Sequence, residues 1–572
     1  MEIPSKLHPR RASARLVALM GLALAACAPE STPGPPSAGA ALPPGAQEAA
    51  DSIQAEPIRE STLELSDDRF EGRGPGTAGD AAARAWIADR MAALGLEPAG
   101  DDGTWEQLFD IVSITAQVPE RWAFQSSSEE LSFRRDEEFV AFSGVQESEA
   151  RIDDAELVFV GYGIQAPEYE WDDYKGEDVS GKVLLMLNND PDWSPELFEG
   201  DTRLYYGRWT YKYEIAAARG AAGAIIVHTT ASAGYPWQVV HTSWTGPQSE
   251  LPAAGEPRIQ VGGWLTEDAA GRVAALAGHD LDALVESARS PEFAPVALGV
   301  RTSLVLGSEV ERTQTANVLG RLPGSDPDLS DEVVIFGAHH DHLGRGAPDV
   351  EGDDVYNGAL DNALGVAEQL AIARAFTRLP EPPPRSILFA FWGAEEQGLI
   401  GSRFYAAHPT VAPGRIAANL NMDGGNIWGE TRDVVVVGHG KSDLDALVEK
   451  HAGAQGREVR PDPFADRGFF YRSDQFSLAK VGVPAIYLDS GIDFVGRPEG
   501  WGREQNEAYE RERYHQPSDE VTDDWVLDGL VQDARLLFAC GLDVANRDRL
   551  PAWNPGDEFE AARREALAAV GP

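Results

Sequence analysis

Apolar and polar positions change their period along this chain of 572 residues. From residue 315 onward, runs of consecutive apolar residues alternate with amphipathic stretches. DEVVIFGAH (331–339), RSILFAFWG (385–393), RIAANLNMD (415–423), RDVVVVGHG (432–440) and VGVPAIYLDS (481–490) read as buried strands. DNALGVAEQLAIARAF (361–376) and GSRFYAAHP (401–409) read as helices between them. Strands alternating with helices predict an α/β fold with a doubly wound sheet, in which ligands gather beyond the carboxyl ends of the strands. Upstream, residues 80–100 carry a helical period with Ile87, Met91 and Leu94 on one face, Asp80 as N-cap and Gly95 as stop. GRGPGTAG (72–79) reads as a plain loop, since no strand precedes it and no Lys-Ser/Thr closes it. Residues 111–150 alternate irregularly, as edge strands do. AELVFVGYGI (155–164), GKVLLMLNND (181–190) and YKYEIAAARGAAGAIIVHTT (211–230) give a β-β-α-β order that suits a compact separate body.

Composition narrows this picture. The chain is 43% hydrophobic and 25% charged, as globular proteins are. Its 93 acidic and 48 basic residues leave a net charge of -45, which argues against nucleic acid and anionic membrane surfaces as partners. Arg10, Arg11 and Arg15 precede the apolar run LVALMGLALAA (16–26), too short to span a membrane. Leu24-Ala25-Ala26-Cys27 resembles a bacterial lipobox, which implies lipidation of Cys27, export, and anchoring to the cell envelope, with Ala28 pointing to the outer membrane. The Pro-, Ala- and Gly-rich stretch after Cys27 reads as a tether. The expected plan is therefore a signal peptide (1–26), a tether (27–54), a first part of the catalytic domain (55–149), an insert (150–305), the catalytic domain proper (306–548) and a peripheral tail (549–572).

Cys540 lies on an apolar face and reads as a core thiol, so with Cys27 accounted for no Cys-based metal site can be built. Any metal must use His, Asp and Glu. His339 ends a strand, and Asp341 two residues on can orient its imidazole. Asp361 opens a helix, Glu395 and Glu396 follow a strand directly, Asp423 ends another, and His515 lies in a turn-like segment. One such acid or imidazole is usually a cap or a packed side chain. Their recurrence at strand ends is what two divalent ions sharing a bridging carboxylate require.

HHDHLG (339–344), NGALDNALG (357–365), WGAEEQGLIGS (392–402), NMDGG (421–425) and YHQPSDE (514–520) resemble the bacterial leucyl-aminopeptidase-like zinc peptidases, a group related to the glutamate carboxypeptidases. Residues 150–300 resemble the mainly-β protease-associated domain inserted in several such enzymes. The resemblance implies an α/β, doubly wound mixed sheet of zinc exopeptidase type, two zinc ions per chain and a peptide substrate. It implies His339 and Asp423 on one zinc, Glu396 and His515 on the other, Asp361 as the bridge, Glu395 as general base and Asp341 as the partner of His339. His340 and His342 are extra histidines, expected outside the ligand set. Tyr514 is a candidate oxyanion donor or substrate contact. Arg472 is a candidate contact for the oxyanion or a substrate carboxylate, set against an ion pair with Asp474. Release of N-terminal residues is the expected activity. A carboxypeptidase or dipeptidase, a glutaminyl cyclase and a metal-free binding protein are the alternatives, and the choice of residue and of chain end is not legible here.

Overall fold

The structure is a computed structural model that describes residues 42, 43 and 45–571. The signal segment and Cys27 lie outside the described residues.

Eight strands form the central sheet. In spatial order they are Glu106–Gln117, the last part of Val296–Leu322, Ser386–Trp392, Val333–His339, Ile416–Asn421, Ala485–Asp489, Asp433–Val436 and Glu458–Pro461. The middle four run parallel, and antiparallel pairings flank them on both sides. The sheet is thus mixed, as expected. The period-2 side-chain geometry of strands sorts its residues onto two faces. Val334, Phe336, Ala338, Phe389, Phe391 and Leu420 pack under the helices Ala55–Leu65, Leu364–Phe376 and Asp528–Asn546. Val333, Ile335, Leu388, Ala390 and Trp392 pack with Tyr405, Ile416 and Leu478 on the other face.

Register places the chemistry. His339 pairs with Trp392, and Gly337 pairs with Asn421. Asp423, Glu395 and Glu396 therefore leave the sheet at the same rim as His339.

The 27-residue strand Val296–Leu322 runs through both parts of the molecule, so the expected boundary at 305/306 falls inside one continuous element. A second core gathers Trp122, Phe124, Phe133 and Phe139 with Ile152, Leu157, Phe159, Leu185, Ile225 and Leu304. The strands between 121 and 143 thus belong to the insert's core, upstream of the expected start at 150. Within it, Glu149–Phe159, Val183–Leu187, Gly223–His228 and Val261–Thr266 are parallel, with helices such as Trp209–Ala218 beside them. The insert is itself α/β rather than mainly β.

Two local expectations also change. Ala46, Ala49 and Ala50 of the helix Ala46–Asp51, with Ile53, are buried in the main core, so the folded body starts inside the expected tether. The tail helix Glu560–Val570 is peripheral, with Arg563 alone buried, and it is anchored by buried Trp553 and Phe559 and by Arg563, which donates to the carbonyls of Pro413, Ile416 and Pro551. Thr77, not Asp80, caps the helix Ala78–Ala93. Among the described residues no helix is long and apolar enough to cross a membrane.

Candidate metal centre

The parallel strand Val333–His339 delivers His339 to the rim with its Nε2 3.2 Å from Asp361 Oδ1 and 3.3 Å from Asp423 Oδ1. On the far side of Asp361, His515 Nε2 lies 3.2 Å from Asp361 Oδ2 and 3.0 Å from Glu396 Oε2. Asp361 thus faces both imidazoles, one with each oxygen. It does not open a helix; it sits in an irregular turn, Ala359–Ala363, and the regular helix begins at Leu364. Glu395 and Glu396 occupy the turn after Ser386–Trp392, where Ala394 takes a left-handed conformation. The five sequence-predicted ligands and Glu395 are therefore brought together.

Two assignments change. Asp341 does not hold His339 with its carboxylate: Oδ1 lies 3.8 Å from His339 Nδ1, which is 3.3 Å from the Asp341 backbone oxygen instead. The carboxylate accepts the Glu395 N–H at 3.0 Å and the Glu396 N–H at 3.4 Å, so it shapes the turn that presents both glutamates. His342 is buried, with Nδ1 2.6 Å from Glu396 Oε1. His339, Asp361 and Asp423 form one group able to hold a metal ion, and His342, Asp361 and Glu396 form another. His342 is thus in the ligand neighbourhood. It packs beneath Gly358, where a Cβ would stand 2.5 Å from the imidazole Cγ. His340 is also buried, with Nε2 3.2 Å from Asp80 Oδ1.

Charge is concentrated here. Burial opposes charge on His339, yet Glu395, Asp361 and Asp423 hold its imidazolium well above the usual range. Burial likewise opposes His515, and Asp361 with Glu396 pushes it up to about 10. Burial raises the Glu395 carboxyl well above the carboxylate range; His339 pulls against this, and Asp423, Glu396 and Asp474 add to it. The donor set fits zinc, since imidazole and carboxylate are both zinc ligands and cation charge relieves the crowding of acids.

Tyr514 stacks on His515 with centroids 3.8 Å apart and is 38% exposed, so it lies beside the site and reaches solvent. Arg472 is exposed over the Phe469 ring and pairs with no carboxylate among the described residues, so the alternative of an ion pair with Asp474 does not form. Two participants escaped sequence reasoning. Asp519 accepts the N–H groups of Leu360 and Asp361 at 3.2 and 3.1 Å, holding the bridging turn. Arg73 reaches the same turn from residues read as a plain loop. For Asp519, its place in YHQPSDE was the available signal; Arg73 offered none.

Residues 317–537 match the family model for Peptidase family M28. This part of the chain is similar to M28 peptidase domains. Leupeptin-inactivating enzyme 1 of Streptomyces exfoliatus is 28% identical over 210 residues, 36% of this chain and 43% of that protein. A probable leucine aminopeptidase 2 of Aspergillus fumigatus is 26% identical over 266 residues, 45% of this chain and 49% of that protein. The matches thus span less than half of these relatives. The solved structure "Aminopeptidase from Aneurinibacillus sp. strain AM-1" is 20% identical, with a TM-score of 0.49 over 88% of this chain and 97% of that one. The matched region holds every residue of the candidate metal centre, from His339 to His515.

Proposed function

We propose that the protein is a two-zinc exopeptidase that releases N-terminal residues from peptides. The observation that carries this reading is Asp361, with one oxygen toward His339 and the other toward His515, between two groups of ligand atoms at one sheet rim. His339 and Asp423 would hold one ion, Glu396 and His515 the other, with Asp361 between them. Zinc bound there supplies a lowered pKa for water and polarisation of the scissile carbonyl.

The side chains do the rest. Glu395, raised in basicity by its buried and acidic setting, takes a proton from the attacking water and returns one to the leaving amine. Tyr514, stacked on His515 and partly exposed, is the candidate donor to the developing oxyanion, a reading its position beside a ligand supports. Arg472, free of carboxylate partners among the described residues, is available to a substrate carboxylate. The names of the matched relatives favour the amino end, and the insert's likeness to protease-associated domains is part of the same reading. A panel of aminoacyl-nitroanilides beside N-blocked dipeptides tests the choice: the nitroanilides are hydrolysed, and cleavage of the blocked dipeptides alone would overturn it. We also propose export with a lipid on Cys27; a mature protein whose mass spectrum shows an unlipidated N-terminus removes that part.

A further inference from the structure

Upstream of the region that matches the M28 model, residues 71–73 form an unusual segment. Glu71, Gly72 and Arg73 all take left-handed backbone angles, with φ of 50°, 65° and 51°. L-residues visit this region singly, because Cβ crowds the following carbonyl, and a run that includes Glu and Arg persists only where its surroundings fix it. The surroundings are the metal loops. A Cβ on Gly72 would stand 2.4 Å from the Gly344 carbonyl oxygen and 2.5 Å from that of Tyr356, so the segment lies directly against the chain joining His339 to Asp361.

The run delivers Arg73 into the interior. Its guanidinium is buried and donates to four backbone carbonyls. Nε reaches His340 O at 2.8 Å, Nη1 reaches Leu65 O at 3.1 Å and Asn357 O at 2.7 Å, and Nη2 reaches Gly358 O at 2.9 Å. The Arg73 carbonyl in turn accepts the His342 N–H at 3.3 Å. Among these partners, His340 follows the ligand His339, and Asn357 and Gly358 precede the bridging Asp361. One planar group therefore spans both ligand-bearing loops. A second tie joins the same region to the first loop, since Asp80 Oδ1 lies 3.2 Å from His340 Nε2 and Asp80 Oδ2 accepts the Thr315 hydroxyl at 2.7 Å.

We infer that Arg73 is a positioning residue for the metal centre, fixing the distance between the His339 loop and the Asp361 turn from outside the region that matches the M28 model. A guanidinium can do this and an ammonium cannot: five N–H groups in a rigid fork address carbonyls on two loops at once, whereas lysine offers a compact point charge. Burying the charge is costly unless it is fully hydrogen-bonded, and here the carbonyls satisfy it while Asp341, Asp361, Asp519 and Glu396 surround it.

The inference rests on the two-zinc reading, and the test separates the two. Zinc affinity is measured by chelator competition on wild type and Arg73→Lys, beside the melting temperature of the chelator-treated proteins and kcat and KM at saturating zinc. The expected result is a zinc affinity lower by about 10- to 100-fold, the range seen when groups behind metal ligands are removed. The metal-free melting temperature stays near wild type, and the loss of turnover at saturating zinc lies in kcat with KM little changed. Should Arg73→Lys not fold, Asp80→Asn loosens the same region at His340, and the same drop in affinity is expected. Wild-type affinity in the folded variant would overturn the positioning role alone; a wild type that binds no zinc would overturn the metal reading itself.

Discussion

Glu395 and Glu396 are neighbours in sequence whose carboxyls are shifted in opposite directions, and the difference comes from what each faces. Glu396 bonds both His342 and His515, and these contacts offset its burial and hold its carboxyl below the usual range. Glu395 has no such bonds and is raised. A general base contributes roughly 10²- to 10⁴-fold, so Glu395→Gln is expected to lower kcat by that order while zinc content stays at wild type. Metal analysis beside steady-state kinetics checks this, and full turnover in the variant removes Glu395 as the base. The pair Glu395-Glu396 and the strand-end His339 and Asp423 were legible from spacing because an apolar strand delivers them. The Asp341 contact was not: whether a carboxylate two residues past a histidine turns toward the ring or toward the next loop depends on the loop, and here the Glu395 and Glu396 N–H groups claim it.

At the scale of elements, the ligand-bearing strands are held by aromatic packing. Phe336 stacks on Phe389 with centroids 5.6 Å apart and meets Phe376 edge-on at 5.5 Å, tying two strands to the helix Leu364–Phe376. Phe336→Ala is expected to cost about 3–5 kcal/mol, read as a lower urea midpoint; a cost below about 1 kcal/mol would mean the site collapses around the cavity. The helices Asp445–Ala454 and Asp528–Asn546 meet at Asp543, which accepts from Lys450 at 2.6 Å and His451 at 2.9 Å. The His451 bond, aided by Lys450 against partial burial, depresses Asp543 from 3.8 to about 2. A depressed carboxyl contributes stability above its unfolded value and loses it as pH falls through the folded one. The contribution is about 1–2 kcal/mol after allowance for partial exposure. Asp543→Asn should therefore be less stable than wild type at pH 6, with the two converging as pH falls from about 4 to 2. Equal stability at pH 6 would show the pair to be inert. The strands and helices of the catalytic sheet were readable because their apolar periods are strong. The strands between 121 and 143 were assigned to the wrong core, since short alternating runs fit either sheet and only pairing decides.

Across the whole molecule, five crowded carboxylates, Asp341, Asp361, Glu395, Glu396 and Asp423, repel one another in a buried space, so bound cations stabilise the fold by mass action. Chelation is expected to lower Tm, with recovery on adding back two zinc equivalents; an unchanged Tm would argue against ions at this rim. The sequence by itself determined the α/β class and the candidate ligand residues, because periodicity and the placement of acids and imidazoles at element ends are local properties, while the role of Glu395 as base was implied only by the resemblance. Tertiary structure alone decided the rest. It set the continuity of Val296–Leu322 through both cores, the anchoring of the tail by Trp553 and Phe559, the approach of His342 to Glu396, and the reach of Arg73 across 267 positions to His340. Each of these is a contact between segments distant in sequence, and such contacts follow from how sheets and loops close on one another, which no local pattern in the chain encodes.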